Sequence, residues 1–195
     1  MTELSSDDYG GRAPMSEGER MTLDFLENAF REAGLEPLFG DSFRQAVELV
    51  SMATDPATAQ FDVSREEHTT SLQYADDYVA WTQRTESPVE VQDSEIVFVG
   101  YGVVAPEYDW NDYEGVDMRG KTALILINDP GYALQDPAMF KGHAMTYYGR
   151  WRYKFEEAVR QGAEAAIIIH DTEPAAYGWN TVRNSWTGPQ FYLPS

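Results

Sequence analysis

Histidine, aspartate and glutamate at fixed spacing are the raw material of metal and acid–base sites. The three histidines, His68, His143 and His170, lie far apart, and none sits in an HExxH or HxD pattern. His170 ends an apolar run beside Asp171 and Glu173; a structural or exposed role outweighs a ligand role there. Glu66-Glu67 and Glu156-Glu157 are adjacent acids, but neighbours on a helix point about 100° apart. Glu156 and Glu157 therefore cannot share one substrate atom, and both pairs read as solvated surface. A glycosidase would need two carboxylates converging about 5–9.5 Å apart, and no such pair can be named. No Ser occupies a GxSxG turn, and the chain has no Cys, which excludes thiolate nucleophiles and disulfides. Gly100-Tyr-Gly102-Val-Val-Ala105 matches the dinucleotide fingerprint on paper. Pro106 and an aromatic loop follow, however, in place of the helix whose N–H groups would receive a pyrophosphate. The glycines read instead as a bulge or a tight strand end. The carboxylates of loop 107–117 would at most hold a hard cation such as calcium, weakly.

Aromatic residues carry more information. Tyr147, Tyr148, Trp151 and Tyr153 cluster before and inside a helical pattern, and Tyr177, Trp179, Trp186, Phe191 and Tyr192 decorate the last stretch. Aromatics in otherwise polar segments build interfaces as well as cores, because they bury much area at little entropy cost. The candidate substrate-facing or interface residues are Tyr147, Arg150, Trp151, Tyr177, Trp179, Asn184 and Trp186. No catalytic residue and no metal ligand is assigned.

Several elements must position these side chains. Ser16 and Glu19 have capping-box spacing, and Met21, Phe25, Leu26, Ala29, Phe30 and Ala33 follow at helical period. Gly34 and Pro37 lie beyond them, so the pattern predicts a helix over 17–33. Alternation predicts strands over 43–50, 74–82 and 89–92, with a loop over 53–70. Residues 95–104 and 121–128 read as strands, the second fully buried. A helix over 150–161 puts Trp151, Phe155, Ala158 and Val159 on one face and pairs Glu156 with Arg160. Residues 165–170 form a further strand. The order strand, helix, strand over 121–170 predicts a parallel crossover.

The 195 residues are 43% hydrophobic and 13% aromatic, enough for a packed core. Thirty-three acidic residues against fourteen basic ones give a net charge of −19. That balance disfavours nucleic acid and anionic membranes and fits a soluble or salt-adapted surface. No apolar run is long enough to span a bilayer, and the N-terminus has no signal-peptide pattern.

The stretch VFVGYGVVAPEYDWNDYEGVDMRGKTALILINDPG at 97–131 resembles the protease-associated (PA) domain inserted in dizinc aminopeptidases of metallopeptidase family twenty-eight, relatives of glutamate carboxypeptidase and the transferrin receptor. Its pattern is a GYG strand end, Trp110-x-Asp112-Tyr113-x-Gly115, then Asp117-x-x-Gly120-Lys121 and an aliphatic strand. The resemblance continues through 147–170 and NSWTGPQF at 184–191, and the opening residues resemble the start of the peptidase domain before the insertion.

The resemblance implies an α/β chain: a swivelling β/β/α PA domain over 43–195, behind an N-terminal segment, 1–42, with an amphipathic helix. It implies that helix 17–33 and strand 43–50 belong to a peptidase sheet. Their apolar faces would be partly orphaned, which makes a homo-oligomer plausible. The family's zinc ligands lie downstream of the insertion. This chain alone is therefore expected to be inactive and to hold no cofactor, with two zinc ions only in the full-length parent. Its implied role is lid, substrate gate or interaction domain, its partners a peptide substrate or the peptidase domain, its location periplasmic or secreted. The alternative is a stand-alone module taking a peptide or sugar on its aromatic loops.

Overall fold

A computed structural model describes residues 2–38 and 40–194. The chain divides into two compact units, one of residues 1–49 with the last three, the other Val50–Tyr192. Secondary structure is mixed α and β.

The first unit is built on α1 (Glu17–Glu32). The Ser16 hydroxyl accepts from Glu19 N, satisfying an orphan donor of the first turn, while the Glu19 carboxylate reaches back to Met15 N at 2.6 Å and fixes the chain entering the helix. Gly18 is its one buried residue; Leu23 and Phe30 are exposed. Residues 43–49 form no strand, contrary to their alternation. Phe43 instead packs on Phe30 at 5.7 Å, and Arg44 spans Asp24 and Glu27 of α1. A period of two cannot make a strand without a ladder partner.

The second unit contains β1 (Val50–Met52), β2 (Phe61–Arg65), β3 (His68–Leu72), β4 (Ile96–Phe98), β5 (Val104–Ala105), β6 (Trp110–Asn111) and β7 (Thr122–Leu126). These are followed by α2 (Pro130–Leu134), α3 (Trp151–Arg160), β8 (Ala165–Ile169), α4 (Thr172–Ala175), α5 (Trp179–Trp186) and β9 (Gln190–Tyr192). The central sheet has order β4-β7-β8, all parallel, so the predicted crossover through α3 is present. The other strands form small antiparallel pairs, β1–β9, β2–β3 and β5–β6.

Some segments depart from their sequence pattern. The predicted loop 53–70 contains β2 and begins the hairpin to β3, while 74–82 is a turn closed by a single Tyr74–Tyr78 bridge. There Ala75 takes φ 71° and Asp77 accepts from Gln73 N at 2.8 Å, a turn that overrides the alternation. Residues 89–92 are exposed and unladdered. The run 95–104 breaks after Phe98 because Gly100 and Gly102 take φ of 55° and 61°. A Cβ at Gly102 would approach Ile125 and the Tyr113 hydroxyl to 3.0 Å, so only glycine fits that turn.

One core cluster lies between the sheet and α3: Val99, Tyr113, Met118, Ala123, Ile125 and Ala158. A second surrounds Phe140 with Val103, Ala105 and Tyr153. On α3, Val159 is 72% exposed rather than on the packed face, and Glu156 pairs with Arg152, leaving Arg160 to Glu157. Among the described residues no helix is long and apolar enough to cross a membrane.

Candidate functional site

Helix α3 carries Trp151 and Phe155 one turn apart, so both rings leave the same side of the helix. Helix α5 ends at Trp186, and Trp81 arrives from the segment before β4. The Trp81 and Trp186 rings stack at 3.9 Å and 15°. Trp151 lies near-parallel to both, at 5.8 and 5.9 Å, and Phe155 meets Trp81 edge-on at 5.1 Å. Stacked aromatic pairs contribute about 0.5–1.5 kcal/mol each beyond burial.

Beside this stack lies a pocket of about 220 Å³ lined by Trp151, Tyr177, Thr181, Val182, Ser185 and Trp186. Its back is fixed by hydrogen bonds. His170 Nε2 meets the Tyr177 carbonyl at 3.0 Å, and Trp179 Nε1 donates to the Ala75 carbonyl at 3.1 Å. The His170 ring sits 5.3 Å from Tyr177 and 6.1 Å from Trp179. Trp151 Nε1 and His170 Nδ1 are buried without a hydrogen-bond partner; the Tyr177 hydroxyl lies near enough to feel the indole N–H without meeting hydrogen-bond geometry. Burial raises the Tyr177 phenol above its ordinary value, and the Arg150 guanidinium opposes that shift. Chemically this is an apolar, aromatic slot with hydroxyls from Thr181 and Ser185 at its wall. It offers binding surface rather than a nucleophile–base pair.

The structure thus brings Trp151, Tyr177 and Trp186 together, with Trp179 behind them. Arg150 is exposed beside Trp151, and Asn184 is exposed on α5 outside the lining. Tyr147 does not belong to the site: it packs on Tyr153 at 5.8 Å, and its hydroxyl donates to Glu156 at 3.2 Å. Sequence reasoning missed Trp81, Phe155 and His170 as neighbours of the site. The Trp151–Phe155 spacing of four carried the signal for Phe155; nothing local pointed Trp81 toward α5.

A polar cluster occupies the carboxyl ends of β4 and β7. Lys154, fully buried, donates to the Tyr101 and Asn128 carbonyls at 2.5 and 2.6 Å. Burial pulls its ammonium down to about 7, against the opposing pull of Asp129 and Asp112. Asp129, also fully buried, accepts from Gly131 N, Thr146 N and the Thr146 hydroxyl. Asp112 accepts from Val103 N and Trp110 Nε1, both at 2.9 Å. Burial raises the Asp112 carboxyl, and these two donors oppose the shift. These bonds tie the turns after β4 and β7 to α3, so the cluster reads as a structural knot.

In loop 107–117, Glu107 accepts from Tyr148 and Asp117 pairs with Arg119, so these carboxylates point to separate partners. Among the described residues no three His, Cys, Asp or Glu side chains are grouped to hold a metal ion. No family model, no curated protein and no solved structure matches the chain.

Proposed function

We propose that this chain is a non-catalytic protease-associated module of a zinc-dependent aminopeptidase-like protein, working as lid, substrate gate or docking domain. The observation that carries the recognition role is the pocket. Three residues named as interface from sequence line it, and it is held by helices and a ring stack rather than by a loose loop. Its size suits one apolar or aromatic side chain of a peptide. The catalytic zinc ions belong, in this reading, to the parent peptidase. The family assignment itself rests on the motif pattern at 97–131.

The test is zinc calorimetry on the purified chain together with an aminoacyl-anilide hydrolysis assay. Absence of turnover and of tight zinc uptake is the expected result. Submicromolar binding of two zincs, or hydrolysis that a chelator abolishes, contradicts the reading, since a dizinc site needs a dense ligand cluster with one bridging group.

A further inference from the structure

Away from the tryptophan pocket, the β2–β3 hairpin and the strand-to-turn segment after it enclose a second cleft of about 360 Å³. That is near the lower limit for small-molecule sites and fits one monosaccharide-sized ligand. Gln60, Phe61, Asp62, Ser71, Gln73 and Tyr74 supply its polar and aromatic lining. We propose that this cleft binds a neutral pyranose sugar, with Asp62 as the residue that grips two adjacent hydroxyls. The proposal stands independently of the peptide pocket.

Asp62 is set up for that task before any ligand arrives. One carboxylate oxygen accepts from the Ser71 hydroxyl at 2.6 Å and the other from the Gln60 amide at 2.5 Å. The register explains the first bond, because Asp62 and Ser71 are directly opposed across the hairpin. These two donors hold the carboxyl below its ordinary range, so it stays an acceptor. An ionised carboxylate has about four lone-pair sites, which leaves one on each oxygen for incoming donors. Two acceptors on one planar group match the two O–H donors of a vicinal diol. The Gln60 and Gln73 amides add both donors and acceptors, as a ring of hydroxyls requires.

The wall is rigid. Gln73 N donates to the Asp77 carboxylate at 2.8 Å, Asp77 N donates to the Gln73 carbonyl at 2.8 Å, and Ala75 N donates to Tyr78 O at 2.7 Å. Trp179 pins the same turn from α5. Phe61 and Tyr74 each meet Tyr78 edge-on, at 5.2 and 5.6 Å, so both rings are braced from behind. A braced ring offers a face for the apolar C–H side of a pyranose at little entropy cost. Charge narrows the ligand class. Among the described residues no Lys or Arg lines the cleft, Asp62 is negative, and the whole chain carries −19. Phosphorylated sugars and uronates would be repelled.

The experiment is an amide NMR titration of the full chain with methyl α-mannopyranoside, methyl β-glucopyranoside, methyl β-galactopyranoside and methyl β-glucuronide. The expected result is saturable shifts confined to 60–62 and 71–74 for at least one neutral glycoside, and none with the glucuronide. Asp62→Ala should weaken that binding roughly tenfold or more, as loss of hydrogen bonds to a charged group predicts. Gln73→Ala should weaken it less, and the variants' unperturbed spectra elsewhere report that they fold. No saturation with any neutral glycoside, shifts centred on the tryptophan pocket, tighter binding of the glucuronide, or an unchanged affinity in Asp62→Ala would each overturn the proposal.

Discussion

Helix α3 presents two contrasting neighbourhoods. Lys154 on one side is fully buried and donates to two backbone carbonyls. Trp151 on another side lines an open pocket and leaves its indole N–H unpaired. The first arrangement is closed: two carbonyls accept from one ammonium, and the charges of Asp129 and Asp112 act on it. The second is incomplete, with apolar area and polar groups that the chain itself does not satisfy. Closed polar knots hold a fold in register, whereas incomplete aromatic slots are where a partner can add something.

The largest expected effect is on the closed side. Lys154→Ala strips the donor from Tyr101 O and Asn128 O and the counter-charge from Asp112 and Asp129. Breaking a buried charged network in this way costs about 3–5 kcal/mol. Urea unfolding should show the midpoint fall accordingly; an unchanged midpoint would erase the contrast between the two sides.

The pH dependence follows next. Lys154 titrates at about 7 when folded, against an ordinary 10.5. Between those values the unfolded chain holds the proton and the folded chain does not, so stability rises with pH across that window and this contribution is flat below it. The hydrogen bond to Glu107 raises Tyr148, and burial raises Tyr153, both to about 12 from an ordinary 10.0. Their contribution is present below 10 and is lost as pH climbs toward 12. Denaturant midpoints should therefore climb above neutrality and turn over in the alkaline range. Lys154→Met should lose the climb and keep the turnover.

A smaller effect is expected on the open side. Trp186→Ala removes two near-parallel ring pairs from a half-buried position, worth about 1–3 kcal/mol together. Near-ultraviolet circular dichroism should lose the stacked-indole signal while far-ultraviolet signal and the Lys154 pH dependence persist. Simultaneous loss of the pH dependence would show that the two sides are one cooperative unit.

These contrasts were only partly visible in the sequence. Helix α1 was legible because Ser16, Glu19 and an apolar stripe state its start and period locally. The crossover β7–α3–β8 was legible because continuous aliphatic runs mark buried strands. The hairpin β2–β3 was not: Phe61 to Leu72 is polar and mostly exposed, so its ladder is held by pairing rather than by a buried stripe. The reverse error occurred at 43–49, where alternation existed without a partner strand. The tryptophan pocket was half legible. Trp151 and Trp186 stood out by residue type, but their meeting with Trp81 is a product of tertiary packing. The depth of Lys154 was hidden because the Tyr101 and Asn128 carbonyls that hold it are backbone groups, which carry no residue-type signal.

The central claim, that the aromatic slot is a recognition site, is tested most directly by indole N–H NMR during titration with a short peptide bearing a phenylalanine. The chain has 5 tryptophans, so each gives one resolvable probe. Trp151 and Trp186 line the pocket and Trp81 stacks on Trp186, while Trp110 donates to Asp112 in a different part of the unit and serves as an internal control. The account predicts saturable shifts of the Trp151 and Trp186 signals with Trp110 unmoved. Equal movement of Trp110, or no shift at Trp151 and Trp186, would contradict it.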